Sequence, residues 1–186
     1  MKVFSRILFV ADNAAEPSWL ARGVELARAH QARLTVLDVV PELALGARSS
    51  AEFGGQGPLL QQIVDARRVH LEKSLLDAGA RDDVAVKVVV GRRYLEAIQE
   101  VLRHNHDLVL KHAESTPWLG RFFTSDDMHL LRKCPCPVWL LQAEDTPARK
   151  RVLAAIDLDP DAEAPERDPL NDRILRYAAA AAAFES

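Results

Sequence analysis

The stretch of sequence that decides the fold runs from His106 to Leu141 and reads HDLVLKHAESTPWLGRFFTSDDMHLLRKCPCPVWLL. Its pattern predicts a buried strand at Leu108–Leu110, a long polar loop, a short amphipathic helix at Ser125–Lys133 and a second buried strand at Val138–Leu141. In an α/β fold, the loop after a parallel strand is the place where a phosphate group is held. The residues of this loop therefore separate a nucleotide-binding protein from other kinds of protein.

The rest of the chain continues this alternation of strands and helices. Apolar runs predict three more strands, at Ile7–Ala11, Leu34–Val40 and Val84–Val90. Helical patterns between them predict helices at Pro17–His30, Leu59–Ala78 and Leu95–Arg103. The strand runs are mostly continuous rather than alternating, which is typical of a parallel sheet covered on both faces. We therefore predict an α/β fold with a doubly wound, five-stranded parallel sheet in the order 3-2-1-4-5 and helices on both faces.

The composition excludes several kinds of partner. The chain has 186 residues, of which 27% are charged and 48% hydrophobic, and its net charge is −3. This balance gives no general attraction for nucleic acid or for an anionic membrane, so we expect neither as a partner. No apolar run reaches the roughly 18 residues of a membrane span, and the N-terminal segment lacks a signal-peptide cleavage site. We therefore expect a cytoplasmic protein.

An internal repeat marks the C-terminal part of the chain. The segment Arg6–Asp12 (RILFVAD) is echoed by Arg151–Asp157 (RVLAAID), and an alanine-rich helix is predicted to follow at Leu170–Phe184. We interpret the chain as a complete domain at residues 1–144, a linker at 145–150, and the first strand and helix of a second copy at 151–186. The alternative is a C-terminal helical extension, because short apolar strands match easily.

Three features together resemble the universal stress protein family. They are the order of the strands, the aspartate that closes strand one (Asp12), and the closing run LLRKCPCPVWLL from Leu130 to Leu141. In that family a helix leads into a Cys-Pro-Val-type start of the last strand, as the run up to Val138 does here. The resemblance covers about residues 4–142 and implies an adenine nucleotide alpha hydrolase-like fold. The internal repeat points to the tandem-domain members of the family.

Nucleotide-binding members of this family carry a glycine motif in the loop after strand four. Aligned without gaps from the LLRKCPCPV end, its three glycines fall on Lys111, Glu114 and Thr124, and its hydroxyl residue falls on Ser125. Only the hydroxyl is kept. Glycine lets the backbone approach phosphates closely and adopt positive φ, and a carboxylate at position 114 repels a triphosphate. We therefore expect no cofactor in this domain, and ATP is disfavoured.

Four residues remain as candidate ligand-binding groups at the point where the strand order reverses: Asp12, Lys111, Thr124 and Ser125. In nucleotide-binding relatives the aspartate that matches Asp12 faces the adenine side, whereas the pair Asp12-Asn13 equally suits a turn or a helix cap. The same loop holds large apolar residues, which either fill the empty pocket or form a surface for an apolar ligand or partner. These residues are Trp118, Leu119, Phe122 and Phe123.

Other candidate chemistry has less support. His104 and His106 are two residues apart and can share one side of the chain, but no third ligand stands at a recognised spacing, so we predict no metal site. Cys134 and Cys136 lack the two-residue spacing of redox enzymes; we assign them to packing at the start of the last strand, with redox sensing as the alternative. The sequence contains no motif of a catalytic triad, a P-loop or a metalloprotease, so we predict that the protein is not an enzyme.

The resemblance thus implies a binding or regulatory module of the bacterial stress response that acts through a small ligand or a protein partner. The alternative is a degenerate domain that still binds ATP or AMP weakly, with weak or no hydrolysis. Relatives of this kind pair through the last strand, which here is Val138–Leu141. We therefore expect a homodimer, or an intramolecular pseudo-dimer with a second copy, through this edge.

Overall fold

The computed structural model describes residues 2–11, 17–41, 56–80, 83–113, 125–141, 151–157 and 168–184. The strands are β1 (Arg6–Ala11), β2 (Arg33–Pro41), β3 (Ala85–Gly91), β4 (Leu108–His112) and β5 (Val138–Leu141). The helices are α1 (Pro17–His30), α2 (Gln56–Asp77), α3 (Arg93–His104), α4 (Ser125–Lys133) and α5 (Pro169–Phe184). Among the described residues, no helix has both the length and the apolar character needed to cross a membrane.

The strands form one parallel sheet of five strands in the order β3-β2-β1-β4-β5. Strand β1 lies at the centre, where Val10 pairs with Leu37 of β2 on one side and with Lys111 of β4 on the other. Strand β5 lies at one edge, where its residue Leu140 pairs with Lys111. The predicted fold class and strand order are therefore confirmed.

Alternate residues of β1 enter two separate apolar layers, because successive side chains of a strand point to opposite faces of a sheet. Leu8 and Val10 belong to a buried cluster that also contains Val101 of α3 and Leu130 of α4. Phe9 faces the other side, towards α1. A Cβ atom at Gly23 of α1 would lie 2.9 Å from the Phe9 ring, so glycine allows this helix to pack closely on the sheet. Helices therefore cover both faces.

Strand β4 is two residues longer than its apolar run predicts. The run ends at Leu110, but Lys111 and His112 still pair with Leu140 and Leu141 of β5. Strand pairing uses backbone N–H and C=O groups, so a polar side chain does not end a strand whose neighbour continues beside it. The extension places Lys111 within the sheet rather than in the loop. The predicted bounds of α1, α4 and β5 are confirmed.

The C-terminal residues belong to a separate compact unit formed by residues 1–3 and 143–186. Its helix α5 confirms the predicted alanine-rich helix. The strand predicted at Arg151–Asp157 is wrong, because this segment pairs with no strand among the described residues and has no regular structure. Instead, the backbone N–H of Asp157 donates to Asn171 Oδ1 at 3.1 Å, and Asn171 Nδ2 donates to the Asp157 carbonyl at 2.5 Å. The interpretation as part of a second copy stays a prediction.

Candidate ligand site at the switch point of the sheet

The candidate site lies at the carboxyl ends of β1 and β4. These strands are neighbours in the sheet, with Val10 opposite Lys111. The chain leaves β1 towards β2 and leaves β4 towards β5, which lie in opposite directions in the strand order. In open α/β sheets, this reversal opens a crevice at the carboxyl edge, and ligands bind there. The predicted location of the site therefore has the expected topology.

A buried ion pair joins β4 to α4 at this edge. Lys111 Nζ lies 2.7 Å from Asp127 Oδ1, and the exposed fractions of the two side chains are 2% and 0%. The same ammonium group donates to the carbonyl of His112 at 3.1 Å. Lys111 follows Val109 by two residues, so it shares the sheet face on which Val109 packs against Leu130 of α4. The lysine is therefore directed into the space beneath α4, and Asp127 neutralises its charge.

The first turn of α4 carries two carboxylates, Asp126 and Asp127. The first turn of a helix has unpaired N–H groups and a partial positive charge, which is why anions bind there. In this helix, acidic side chains supply that negative charge. The negative charge that a phosphate group would bring to this end of the helix is therefore already supplied by the protein, with Asp126 half-buried and Asp127 paired with Lys111.

A ring contact joins α1 to the end of β4 on the opposite face of the sheet. The ring centroids of Trp19 and His112 are 4.8 Å apart and their planes are inclined at 40°. Trp19 is half-buried and belongs to the first turn of α1. Because α1 follows β1 along the chain, this contact lies on the same carboxyl edge as the ion pair. Aromatic and charged side chains thus flank the end of β4 on both faces.

The predicted site residues are only partly within the described ranges. Lys111 lies at the crevice edge, and its partner there is Asp127. Ser125 begins α4, as predicted. Asp12 and Thr124 lie outside the described residues, as do Glu114 and the apolar loop residues from Trp118 to Phe123. The assignment of these groups to a ligand stays a prediction.

Sequence reasoning did not include Asp127 in the site. Acidic residues in the first turn of a helix interact favourably with its N-terminus, which accounts for Asp126 and Asp127 without a partner on another element. One signal was available: a lysine directly after a buried strand, followed by a helix with two acidic residues in its first turn. A lysine that remains inside a sheet requires a compensating charge, and the nearest carboxylate-bearing helix supplies it.

His104 and His106, for which we predict no metal site, both contact Glu100, a buried residue of α3. His104 Nδ1 lies 3.1 Å from Glu100 Oε1, and Lys87 Nζ lies 2.5 Å from the same oxygen. His106 Nδ1 lies 3.2 Å from the Glu100 carbonyl oxygen. Burial lowers the pKa of His106, although the Glu100 carbonyl opposes this effect. Within the described ranges, no group of three or more His, Cys, Asp or Glu side chains is arranged to hold a metal ion.

Comparison with proteins of known sequence identifies one family. A model of the Universal stress protein family matches residues 4–142. Bacterial proteins named universal stress protein E are among the relatives that this chain matches. The protein of that name from Escherichia coli K12 is 41% identical over 106 residues, which are 56% of this chain and 32% of that protein. The chain thus aligns with about a third of the length of that relative.

Comparison with solved structures supports the fold. The universal stress protein UspA from Lactobacillus plantarum has a TM-score of 0.56 at 20% identity, covering 76% of this chain and 99% of that chain. A universal stress protein solved in complex with cAMP has a TM-score of 0.54 at 18% identity, covering 76% of this chain and 98% of that chain. The family match spans one domain and ends where the C-terminal unit begins, so the tandem arrangement stays a prediction. On the strength of the matched domain, its sheet order and these relatives, this chain belongs to the universal stress protein family.

Proposed function

We propose that this chain is a binding or regulatory module of the bacterial stress response whose switch-point crevice does not hold ATP. The observation that carries the proposal is the buried contact between Lys111 and Asp127. Lys111 stands where the first glycine of the family's nucleotide motif is expected. Its positive charge is directed to Asp127, so the lysine does not face a ligand in the loop.

The charges at this edge also act against a triphosphate. Asp126 and Asp127 occupy the first turn of α4, the end of the helix that would otherwise attract an anion. A triphosphate placed there would meet the half-buried carboxylate of Asp126 and would compete with Asp127 for Lys111 and for the helix N-terminus. Both effects disfavour the triphosphate. Glu114 adds a further carboxylate in the loop that precedes α4 in the sequence. These charges support binding of a ligand or partner other than ATP.

The alternative function is weak binding of a smaller nucleotide. It is supported by the switch-point topology of β1 and β4 and by the shared fold of the universal stress protein solved with cAMP. A nucleoside monophosphate carries less negative charge than ATP, so the carboxylates of α4 oppose it less. We rank this alternative second because Lys111, Glu114 and Thr124 stand at the three positions where the family motif has glycine.

Isothermal titration of the purified chain with Mg-ATP, AMP and cAMP tests both functions. We expect no saturable heat for ATP and no nucleotide in the supernatant of the heat-denatured protein. Saturable binding of AMP or cAMP without ATP binding would support the alternative. Micromolar binding of ATP would overturn the proposal, and the same titration at high salt would show whether charge repulsion had limited the affinity.

We also propose that the module acts through contacts rather than catalysis, that it works in the cytoplasm, and that it pairs through β5. Within the described sheet, β5 has one neighbouring strand, β4. Its four residues, Val138–Leu141, are all half-buried and apolar. An apolar edge strand requires a partner or a cover, so this edge supports a homodimer or an intramolecular pseudo-dimer.

A further inference from the structure

The two cysteines of the chain lie side by side between α4 and β5. Cys134 and Cys136 flank Pro135, and their Sγ atoms are 3.6 Å apart. Both side chains are half-buried, so a small reagent can reach them. No third His, Cys, Asp or Glu of the described residues joins them in a group that could hold a metal ion. The chemistry of this position is therefore that of a pair of thiols.

The backbone on both sides holds the two sulfurs near each other. The N–H of Cys134 donates to the carbonyl of Leu130 in the last turn of α4 at 2.9 Å. The carbonyl of Pro137 accepts a hydrogen bond from the N–H of Val109 in β4, also at 2.9 Å. Both thiols pack against the buried cluster that contains Leu130 and Val109. The Cys-Pro-Cys segment is thus anchored at each end to a regular element.

The surroundings of the two sulfurs differ, and the difference favours a thiolate on Cys134. The two thiols share one hydrogen bond, in which either sulfur can be the donor. When Cys136 donates, this bond lowers the pKa of Cys134 to about 7, against the effect of burial and with a smaller contribution from the Cys136 backbone N–H. The pKa of Cys136 is raised, first by its bond to Cys134, then by burial and by the negative charges of Cys134 and Asp107. The backbone N–H of Cys136 also donates to the Cys134 sulfur, and this contact favours Cys134 as the nucleophile and Cys136 as the thiol that keeps its proton.

We propose that Cys134 and Cys136 form a reversible oxidation site that a hydroperoxide converts into an intramolecular disulfide. The Cys134 thiolate attacks the hydroxyl oxygen of the peroxide and the O–O bond breaks, which gives a sulfenic acid on Cys134. The leaving alkoxide or hydroxide takes up the proton that the Cys134 thiol released to solvent, and becomes an alcohol or water. The Cys136 thiol then attacks the Cys134 sulfur, the S–O bond breaks, and water leaves. Two thiols and one peroxide thereby give one disulfide, one alcohol (or water from hydrogen peroxide) and one water.

The geometry allows the second step and favours its reversal. A disulfide bond is about 2.05 Å long, so the sulfurs must approach by roughly 1.5 Å, a distance that side-chain rotation supplies. A disulfide across a single residue closes a very small ring, and strained disulfides are the ones that thiols reduce readily. The pair therefore fits a site that is oxidised by peroxide and restored by a reductant.

Intact-mass spectrometry of the full chain, treated with hydrogen peroxide and then with dithiothreitol, tests the proposal. We expect a mass loss equal to two hydrogen atoms, loss of both iodoacetamide-reactive thiols, and full recovery after reduction. Addition of oxygen atoms without loss of hydrogen, or a disulfide only between two chains, would overturn it. The proposal would also be overturned if the two cysteines stayed reduced in an excess of peroxide that oxidises a free thiol.

Two single variants separate the roles of the thiols. Cys134→Ser removes the nucleophile and should slow reaction with peroxide near neutral pH by about tenfold or more, since about tenfold separates a thiol half-ionised at that pH from one with the ordinary pKa of about 8.5. Cys136→Ser keeps the Cys134 sulfur and replaces the Cys136 thiol with a hydroxyl that can also donate a hydrogen bond, so it should leave a sulfenic acid on Cys134 that dimedone traps. Equal rates for the two variants would show that the sulfurs do not differ as proposed. Circular dichroism of both variants controls for folding.

Discussion

Lys111 Nζ and Asp127 Oδ1 lie 2.7 Å apart with both side chains buried, which ties the end of β4 to the first turn of α4. The pair lies beside the end of β1, at the point where the strand order reverses and where open α/β sheets bind ligands. Removal of one partner from a buried pair leaves an uncompensated charge and costs about 3–5 kcal/mol. The contact therefore affects both the stability of the domain and what can bind at its carboxyl edge.

The first prediction concerns this ion pair. Asp127→Asn should lower the free energy of unfolding by about 3 kcal/mol or more, because Lys111 then stays buried without a negative partner. Urea unfolding followed by circular dichroism measures the change. The double variant Lys111→Met with Asp127→Leu removes both charges and should be more stable than either single variant.

Asp126→Asn is the matched control in the same helical turn and should cost about 1 kcal/mol or less. An Asp127→Asn variant as stable as Asp126→Asn would contradict the prediction.

The second prediction concerns the close approach of α1 to the sheet. Gly23→Ala introduces a Cβ that would lie 2.9 Å from the Phe9 ring. We expect a net loss of about 1–3 kcal/mol in unfolding free energy, although alanine has the higher helix propensity. The variant Phe9→Leu makes space at that point, so Gly23→Ala should cost less in that background. Thermal or urea unfolding measures the free energies of this double-mutant cycle. If the free-energy changes of the two substitutions simply add, the Cβ at position 23 does not clash with the Phe9 ring.

The third prediction concerns pH. Burial lowers the pKa of His106 below its ordinary value of 6.5. The unfolded chain therefore binds a proton at a higher pH than the folded chain, and the free energy of unfolding should fall as the pH falls from above 6.5 towards the lowered pKa. Urea unfolding at several pH values measures this slope. His106→Gln should flatten it, whereas His70→Gln, at an exposed position of α2, should leave it unchanged. An unchanged slope in His106→Gln would remove His106 as the cause.

The fourth prediction concerns the edge strand β5. The carbonyl of Leu141 accepts a hydrogen bond from Ala113, and that of Pro137 from Val109, so both point towards β4. By the alternation of a strand, the N–H of Leu140 points away from β4, to the open edge. Leu140→Pro should therefore keep the fold and abolish pairing through this edge, because proline removes the outward donor. Leu140→Ala keeps the N–H and is the matched control.

Light scattering combined with size-exclusion chromatography measures this effect. We expect the parent chain and Leu140→Ala to be dimers at high protein concentration, and Leu140→Pro to be a monomer with an unchanged circular dichroism spectrum. A strictly monomeric parent chain would count against a homodimer through β5. An unfolded Leu140→Pro variant would show instead that this N–H bonds within the domain.

Much of the fold could be predicted from local sequence patterns. The runs ILFVA, VWLL and PSWLARGVELARAH are apolar or strongly periodic, and their elements form where predicted, except that β1 begins one residue earlier, at Arg6. A run that needs a neighbour is harder to place from sequence: Arg151–Asp157 resembles β1 in composition, but it forms no strand because none lies beside it among the described residues. In the same way, β4 extends to His112 because β5 continues beside it.

The sequence by itself determined the family, the order of the strands and the loss of the glycine motif, because these depend on residue type and spacing along the chain. Only the tertiary structure decided what replaces that motif. The pairing of Lys111 with Asp127 joins residues from two elements across the fold, and a one-dimensional pattern carries no distance between them. The same holds for the two sulfurs of Cys134 and Cys136, whose separation of 3.6 Å depends on how α4 and β5 anchor the segment between them.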